Sequence, residues 1–137
     1  MVRQQVQLDD PAEIAGILRR LPSAFPEALT ELMGWRGVSS EVLAKKALYS
    51  KSTINRLRYE IDYVSSLDTI VAICIGLRLP PALFMFLIQR AGYNFNGSTR
   101  HGIIQQLLLQ VYVFGMDIYQ FNDALTAYGV APLKRGE

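Results

Sequence analysis

An all-α fold follows from three properties of the sequence. Apolar residues recur at spacings of three and four, sustained apolar-polar alternation is absent, and no Asn-Gly hairpin sits between β-branched runs. Serine, aspartate or proline precedes most of the periodic segments, and glycine or proline commonly follows them. The chain has 137 residues, 50% of them hydrophobic and 19% charged. It is long enough to bury a core and too apolar for disorder over most of its length.

Each element has its own signals. Asp10 and Pro11 open a first helix whose Ile14, Ile17, Leu18 and Leu21 share a face, and Pro22 ends it. A second helix runs from Pro26 to Arg36 with Leu29, Leu32 and Met33 inward, and stops at Gly37. Ser39 or Ser40 caps a short third helix reaching Leu48, and Ser50 caps a fourth from Lys51 to Tyr59. So short a connection forces a steep crossing, which is the helix-turn-helix arrangement. Ser66 caps a fifth helix that carries Leu67, Ile70, Val71 and Cys74 inward as far as Gly76. Pro80 and Pro81 restart the chain for a sixth, which continues to Ala91 and is closed by Gly92. The segment YNFNG, residues 93–97, is the expected internal boundary. Beyond it Ser98 caps a seventh helix with Ile104, Leu107, Leu108 and Val111 inward, broken at Gly115. The eighth starts at Asp117 and carries Ile118, Phe121, Leu125 and Tyr128. The sequence thus divides into an N-terminal helical segment, 1–24, a helix-turn-helix unit, 25–92, and a two-helix C-terminal extension, 93–137.

Residues with chemical potential are few. Cys74 lies on the apolar stripe of its helix and reads as a core residue, and His101 has no second histidine for a metal pair or a relay. Glu27 and Glu31 share a polar face, a common surface pattern, and there is no Gly-rich phosphate loop, HExxH or Cys-x-x-Cys. A non-enzyme without metal or cofactor is expected. The N-terminal MVRQQVQLDD lacks an apolar secretion core, and the apolar stretch 67–89 is broken by Arg78, Pro80 and Pro81. With a single cysteine, these features lead us to expect a cytoplasmic protein with no membrane partner.

The functional signal lies in LAKKALYSKSTINRL, residues 43–57. At 100° per residue, Ile54 and Leu57 fall on one side of the fourth helix, and Ser52, Asn55, Arg56 and Tyr59 lie around the other, with Lys51 at its start. Arginine can chelate guanine O6 and N7, asparagine adenine N6 and N7, and serine bonds several base edges. One bidentate pair gives about 1–3 kcal/mol of base discrimination. Residues 36–60 hold six basic side chains against two acidic ones, a local +4 in a chain whose total is +2. Basic charge is therefore enriched on the unit whose geometry suits a duplex.

VSSEVLAKKALYSKSTINRLR, followed by SSLDTIVAICIGLRL, resembles the Xre/Cro-like, or lambda-repressor-like, helix-turn-helix regulators over residues 29–92. The resemblance implies a five-helix DNA-binding domain that commonly dimerises on a palindromic double-stranded operator, often as a repressor. It places base contacts on Lys51, Ser52 and Arg56, with Asn55 alongside, and backbone contacts on Ser39, Ser40, Arg58 and Tyr59. Two positions depart from the family pattern: Leu48 stands where the turn usually has glycine, and Ser40 where glutamine is frequent.

Met85, Phe86, Leu109, Val113 and Phe114 are apolar surplus beside the main stripes and need a cover, either internal packing or a second copy. Two rival functions stay open. One is a protein-interaction adaptor that docks partners on the aromatic C-terminal helices. The other is a sensor of a small-molecule effector in the space among Phe84, Phe114 and Phe121.

Overall fold

The computed structural model describes residues 7–135, and among them finds eight α-helices and no strand. Residues 1–6 of the expected N-terminal segment and residues 136–137 of the extension lie outside the described residues. In chain order the helices are α1 (Pro11–Arg20), α2 (Phe25–Arg36), α3 (Ser40–Ala47), α4 (Lys51–Tyr59), α5 (Leu67–Leu77), α6 (Pro81–Arg90), α7 (Thr99–Phe114) and α8 (Ile118–Ala127).

Local chemistry explains where they begin. Side chains of Asp10, Ser39, Ser50, Ser66, Ser98 and Asp117 each accept a hydrogen bond from a backbone N–H in the first turn that follows. At α8 the cap is reciprocal, because Gln120 reaches back to the Asp117 N–H at 3.0 Å. Gly37 and Gly115 end α2 and α7 in the left-handed conformation, at φ of 66° and 72°.

The close of α5 differs from the expectation. Gly76 lies inside the helix, and Arg78 takes the left-handed cap at φ 46°. A Cβ on Gly76 would sit 2.7 Å from Leu43 Cδ1 and 3.3 Å from Lys46 Cβ, so this glycine serves the close approach of α3 rather than a turn. Such a backbone costs a non-glycine residue about 1–2 kcal/mol. At Arg78 it is held by the side chain, whose guanidinium donates to the carbonyls of Tyr112 and Gln7 at 2.9 and 2.6 Å.

Packing is organised around α5, in which every residue from Leu67 to Leu77 is buried. It contacts α2 and α3 of the helix-turn-helix unit, α6, and both helices of the extension. One continuous hydrophobic cluster runs from Ile17 to Leu133 and includes Leu43, Ile54, Leu83, Ile104 and Phe121. The segment 93–97 is fastened to it: Phe95 is buried, and the Tyr93 hydroxyl donates to the Ser65 carbonyl. Of the residues expected inward on α8, Tyr128 instead lies on the surface, 62% exposed.

Two polar clamps tie the chain ends to this core. Asp9 takes both Nη atoms of Arg36 at 2.8 and 2.9 Å, and its carboxylate and backbone N–H also bond the Tyr112 hydroxyl. Asp68, buried at the start of α5, takes both Nη atoms of Arg100 at 3.0 Å and the Lys134 N–H at 2.9 Å. Arg100 also donates to the carbonyls of Ala131 and Pro132, and Leu133 is buried beside them. The tail at residues 131–134 is thereby laid across α5 and α7.

Burial pushes the Asp68 carboxyl up, but the bonds from Arg100 and the Lys134 N–H outweigh it and hold the group below its ordinary value of 3.8. Asp9 is held low in the same way by Arg36. A carboxylate with a depressed folded-state pKa stabilises the fold above its ordinary pKa, and this contribution is lost as pH falls through the folded value. Urea unfolding from pH 7 to pH 3 should therefore show stability dropping below about pH 4. Asp68→Asn should be less stable at pH 7 and show a shallower acid decline.

Candidate nucleic-acid interface

The α3 and α4 helices are joined by three residues, and the first of them sets the crossing. Leu48 adopts φ 60° and ψ 42°, the left-handed conformation in which its N–H and that of Tyr49 bond the Ala44 carbonyl. The turn keeps this conformation with a leucine, at a cost of about 1–2 kcal/mol. The half-buried Leu48 side chain packs on the core, and the next residue is anchored. The Tyr49 hydroxyl accepts from Thr69 Oγ1 at 2.9 Å and donates to the Lys134 carbonyl at 3.1 Å. Burial raises the pKa of that hydroxyl, so it remains a donor.

Ile54 and Leu57 bury the inner face of α4, at 0% and 2% exposure. On the outer face Lys51, Ser52, Asn55, Arg56, Tyr59 and Glu60 line one shallow groove. Lys51, Ser52, Arg56 and Tyr59 are exposed, and Asn55 is half-buried. The structure thus brings the four expected base-reading side chains together on one surface.

The expected backbone-contact residues divide. Ser39 is exposed at the start of α3, where it accepts from the Val42 N–H at 3.2 Å, and Tyr59 is exposed at the end of α4. Ser40 and Arg58 turn inward. Ser40 is 6% exposed, and its hydroxyl donates to Asn55 Oδ1 at 2.7 Å while accepting from Arg58 Nη1 at 2.8 Å. Arg58 Nε extends to Thr30 Oγ1 at 3.3 Å. The steep crossing of α3 and α4 brings the N-terminus of one against the middle of the other. A short serine there reaches a neighbouring helix rather than solvent. The network ties α2, α3 and α4 together and occupies Asn55 Oδ1, while the Asn55 amide nitrogen has no hydrogen-bond partner among the described residues.

Arg56 is also held, but on the surface. Its Nε donates to Glu60 Oε2 at 2.9 Å, a bond that raises the arginine pKa, and its guanidinium carbon lies 4.1 Å from the Tyr63 ring centroid. The local +4 does not gather on this face. Arg36, the last residue of α2, is bonded to Asp9 and to the Leu77 carbonyl, and Lys45 and Lys46 line a separate cleft with Arg78 and Asp117. Lys51 and Arg56 are the outward cations of the α4 groove.

Glu60, Tyr63, Thr30 and Tyr49 are contributors that the sequence reading did not single out. The Arg56 and Glu60 pairing is visible as an i,i+4 spacing. The other three depend on how helices cross, which no spacing encodes. Elsewhere Cys74 is a core thiol whose pKa burial raises, and His101 Nδ1 accepts from the Gly97 N–H at 3.2 Å. Phe84 and Phe121 are packed in the core at 3% and 0% exposure. Among the described residues no cluster of His, Cys, Asp or Glu could hold a metal ion, and no helix is long and apolar enough to cross a membrane.

Residues 28–82, which span α3, α4 and the helices flanking them, match the family model of the Cro/C1-type HTH DNA-binding domain. This segment is similar to Cro/C1-type helix-turn-helix domains, of the Xre/Cro-like kind, and the match supports a DNA-binding transcriptional regulator. That family is a DNA-binding type and not an enzyme class. No curated protein and no solved structure matches the chain.

Because Ser40 is both donor and acceptor in a buried network, Ser40→Ala leaves Asn55 and Arg58 without a shared partner. Urea unfolding should show a loss of about 1–2 kcal/mol relative to the parent chain.

Proposed function

We propose that the protein is a sequence-specific repressor that inserts α4 into the major groove of a double-stranded operator. Lys51, Ser52, Asn55 and Arg56 contact base edges, and Ser39 and Tyr59 meet the flanking phosphates. Ser40 and Arg58 serve the backbone contact indirectly, by fixing α3 against α4. The observation that carries this reading is the single exposed groove formed by the four base-reading side chains on one short helix, within a Cro/C1-type domain. Repression requires only that the operator be occupied, which a DNA-binding domain accomplishes by itself.

The protein acts as a homodimer, with two α4 helices about one helical turn (~34 Å) apart on a palindromic site. Ile61 and Val64, in the loop directly after α4, are 72% and 84% exposed and supply apolar area beside the groove for a second copy. Residues 25–92 form the reading unit, and the extension, in its described residues 93–135, supports it by packing on α5. The adaptor alternative draws on Leu109, Tyr119 and Tyr128, which are 48%, 57% and 62% exposed on the extension.

Fluorescence anisotropy with duplexes selected from a random pool tests the proposal. Binding should favour the selected sequence and weaken steeply between ~50 and ~200 mM salt, whereas an apolar docking surface would barely respond. Arg56→Ala should lower affinity for the selected site about tenfold or more and leave random duplex nearly unaffected. Unchanged affinity and preference in Arg56→Ala would refute the assignment of α4 to the groove.

A further inference from the structure

Two neighbours constrain how Arg56 can meet a base. Glu60 Oε2 accepts from Arg56 Nε at 2.9 Å, and the Tyr63 ring lies 4.1 Å beneath the guanidinium carbon. Tyr63 reaches this place because the chain turns after α4, with its N–H bonded to the Glu60 carbonyl at 3.1 Å. The carboxylate therefore takes the inner edge of the guanidinium, and the ring takes one of its faces. The outer edge, formed by Nη1 and Nη2, has no hydrogen-bond partner among the described residues, and Arg56 lines the α4 groove.

An unheld arginine can chelate guanine through either of two donor pairs, Nε with one Nη or the two Nη atoms together. With Nε engaged, only the end-on pair remains. Building on the assignment of Arg56 to the groove, we propose that Glu60 and Tyr63 are positioning residues that hold Arg56 end-on and thereby set guanine preference at one operator position.

A carboxylate at this place has an opposite effect on affinity. It repels phosphate, so its removal should leave general duplex binding unchanged or stronger. Nor does an exposed ion pair of this kind stabilise a fold appreciably, and the Glu60 side chain is 55% exposed. The signature is thus a split between affinity and selectivity, which a merely structural pair would not produce.

The test is competition anisotropy with the full chain on the selected duplex and on each of its single-base variants. The proteins compared are the parent, Arg56→Ala, Glu60→Ala, Glu60→Gln, Tyr63→Leu and the Arg56→Ala/Glu60→Ala double variant, with thermal melts to register folding. The parent should prefer guanine at one position and Arg56→Ala should lose that preference. Glu60→Ala should lose about tenfold of it while binding random duplex at least as well as the parent. Glu60→Gln keeps an acceptor in the same place and should retain the preference, and Tyr63→Leu should weaken it. The double variant should be no less selective than Arg56→Ala, because the two residues act through one contact. Full preference in Glu60→Ala, or loss of it in Glu60→Gln, overturns the proposal while Arg56 remains a base reader. Full preference in Arg56→Ala overturns the groove assignment itself, and the proposal with it.

Discussion

A helix buried on every side governs this architecture. From Leu67 to Leu77, α5 presents no solvated face, so each direction around it must be occupied by another element. The helix-turn-helix pair covers one part of that perimeter through α3, α2 and α6 close others, and α7 and α8 take the rest. This requirement explains why the C-terminal extension shares its core with the DNA-binding unit. Without α7 and α8, part of the α5 surface would lie in water, at about 25 cal/mol for each Å² of apolar area. The polar residues that α5 does bury, Asp68 and Thr69, sit at its first turn, and both are hydrogen-bonded.

The position of α4 follows from how α3 is seated on this axis. Gly76 removes the Cβ that would press on Leu43, which lets α3 lie close against α5. The end of α3 then reaches Leu48, whose left-handed backbone turns the chain into α4. A strained turn persists only when its surroundings over-determine it. Here Ala44 bonds the turn from one side, and Thr69 and the Lys134 carbonyl hold Tyr49 from the other. The C-terminal tail is thus in direct contact with the turn of the DNA-binding motif, 85 residues away along the chain.

Much of this was legible in the sequence, for identifiable reasons. Capping and apolar spacing are local properties, so Ser50, Ser66, Ser98 and Asp117 marked their helices, the Ser39–Ser40 pair marked α3 without saying which serine caps it, and Ile54 and Leu57 marked the inner face of α4. Features that depend on two elements meeting were not legible. A helical wheel gives the direction of Arg58 but not the presence of Thr30 and Ser40 in its path. Gly76 read as a terminus because glycine has the same local signature whether it ends a helix or admits a neighbour. The count of basic residues between 36 and 60 was correct, yet a count along the chain carries no direction. In three dimensions Arg36 belongs to the clamp with Asp9, and the two lysines of α3 belong to another cleft.

That redistribution of charge bears on the proposed use of the α4 face in DNA binding. Each phosphate neutralised contributes through counterion release, and a face with two outward cations, one beside a carboxylate, offers little of this. A single copy would therefore hold an arbitrary duplex weakly. Under the proposed assignment selectivity is less affected, because it would come from the geometry of base contacts, and the side chains concerned have neighbours that orient them: Asn55 has Ser40, and Arg56 has Glu60 and Tyr63. If two copies bind one palindrome, their phosphate contacts add and their base preferences multiply, while the electrostatic term at any random site stays low. On this argument the modest net charge of +2 is consistent with sequence-specific binding and favours discrimination over general affinity.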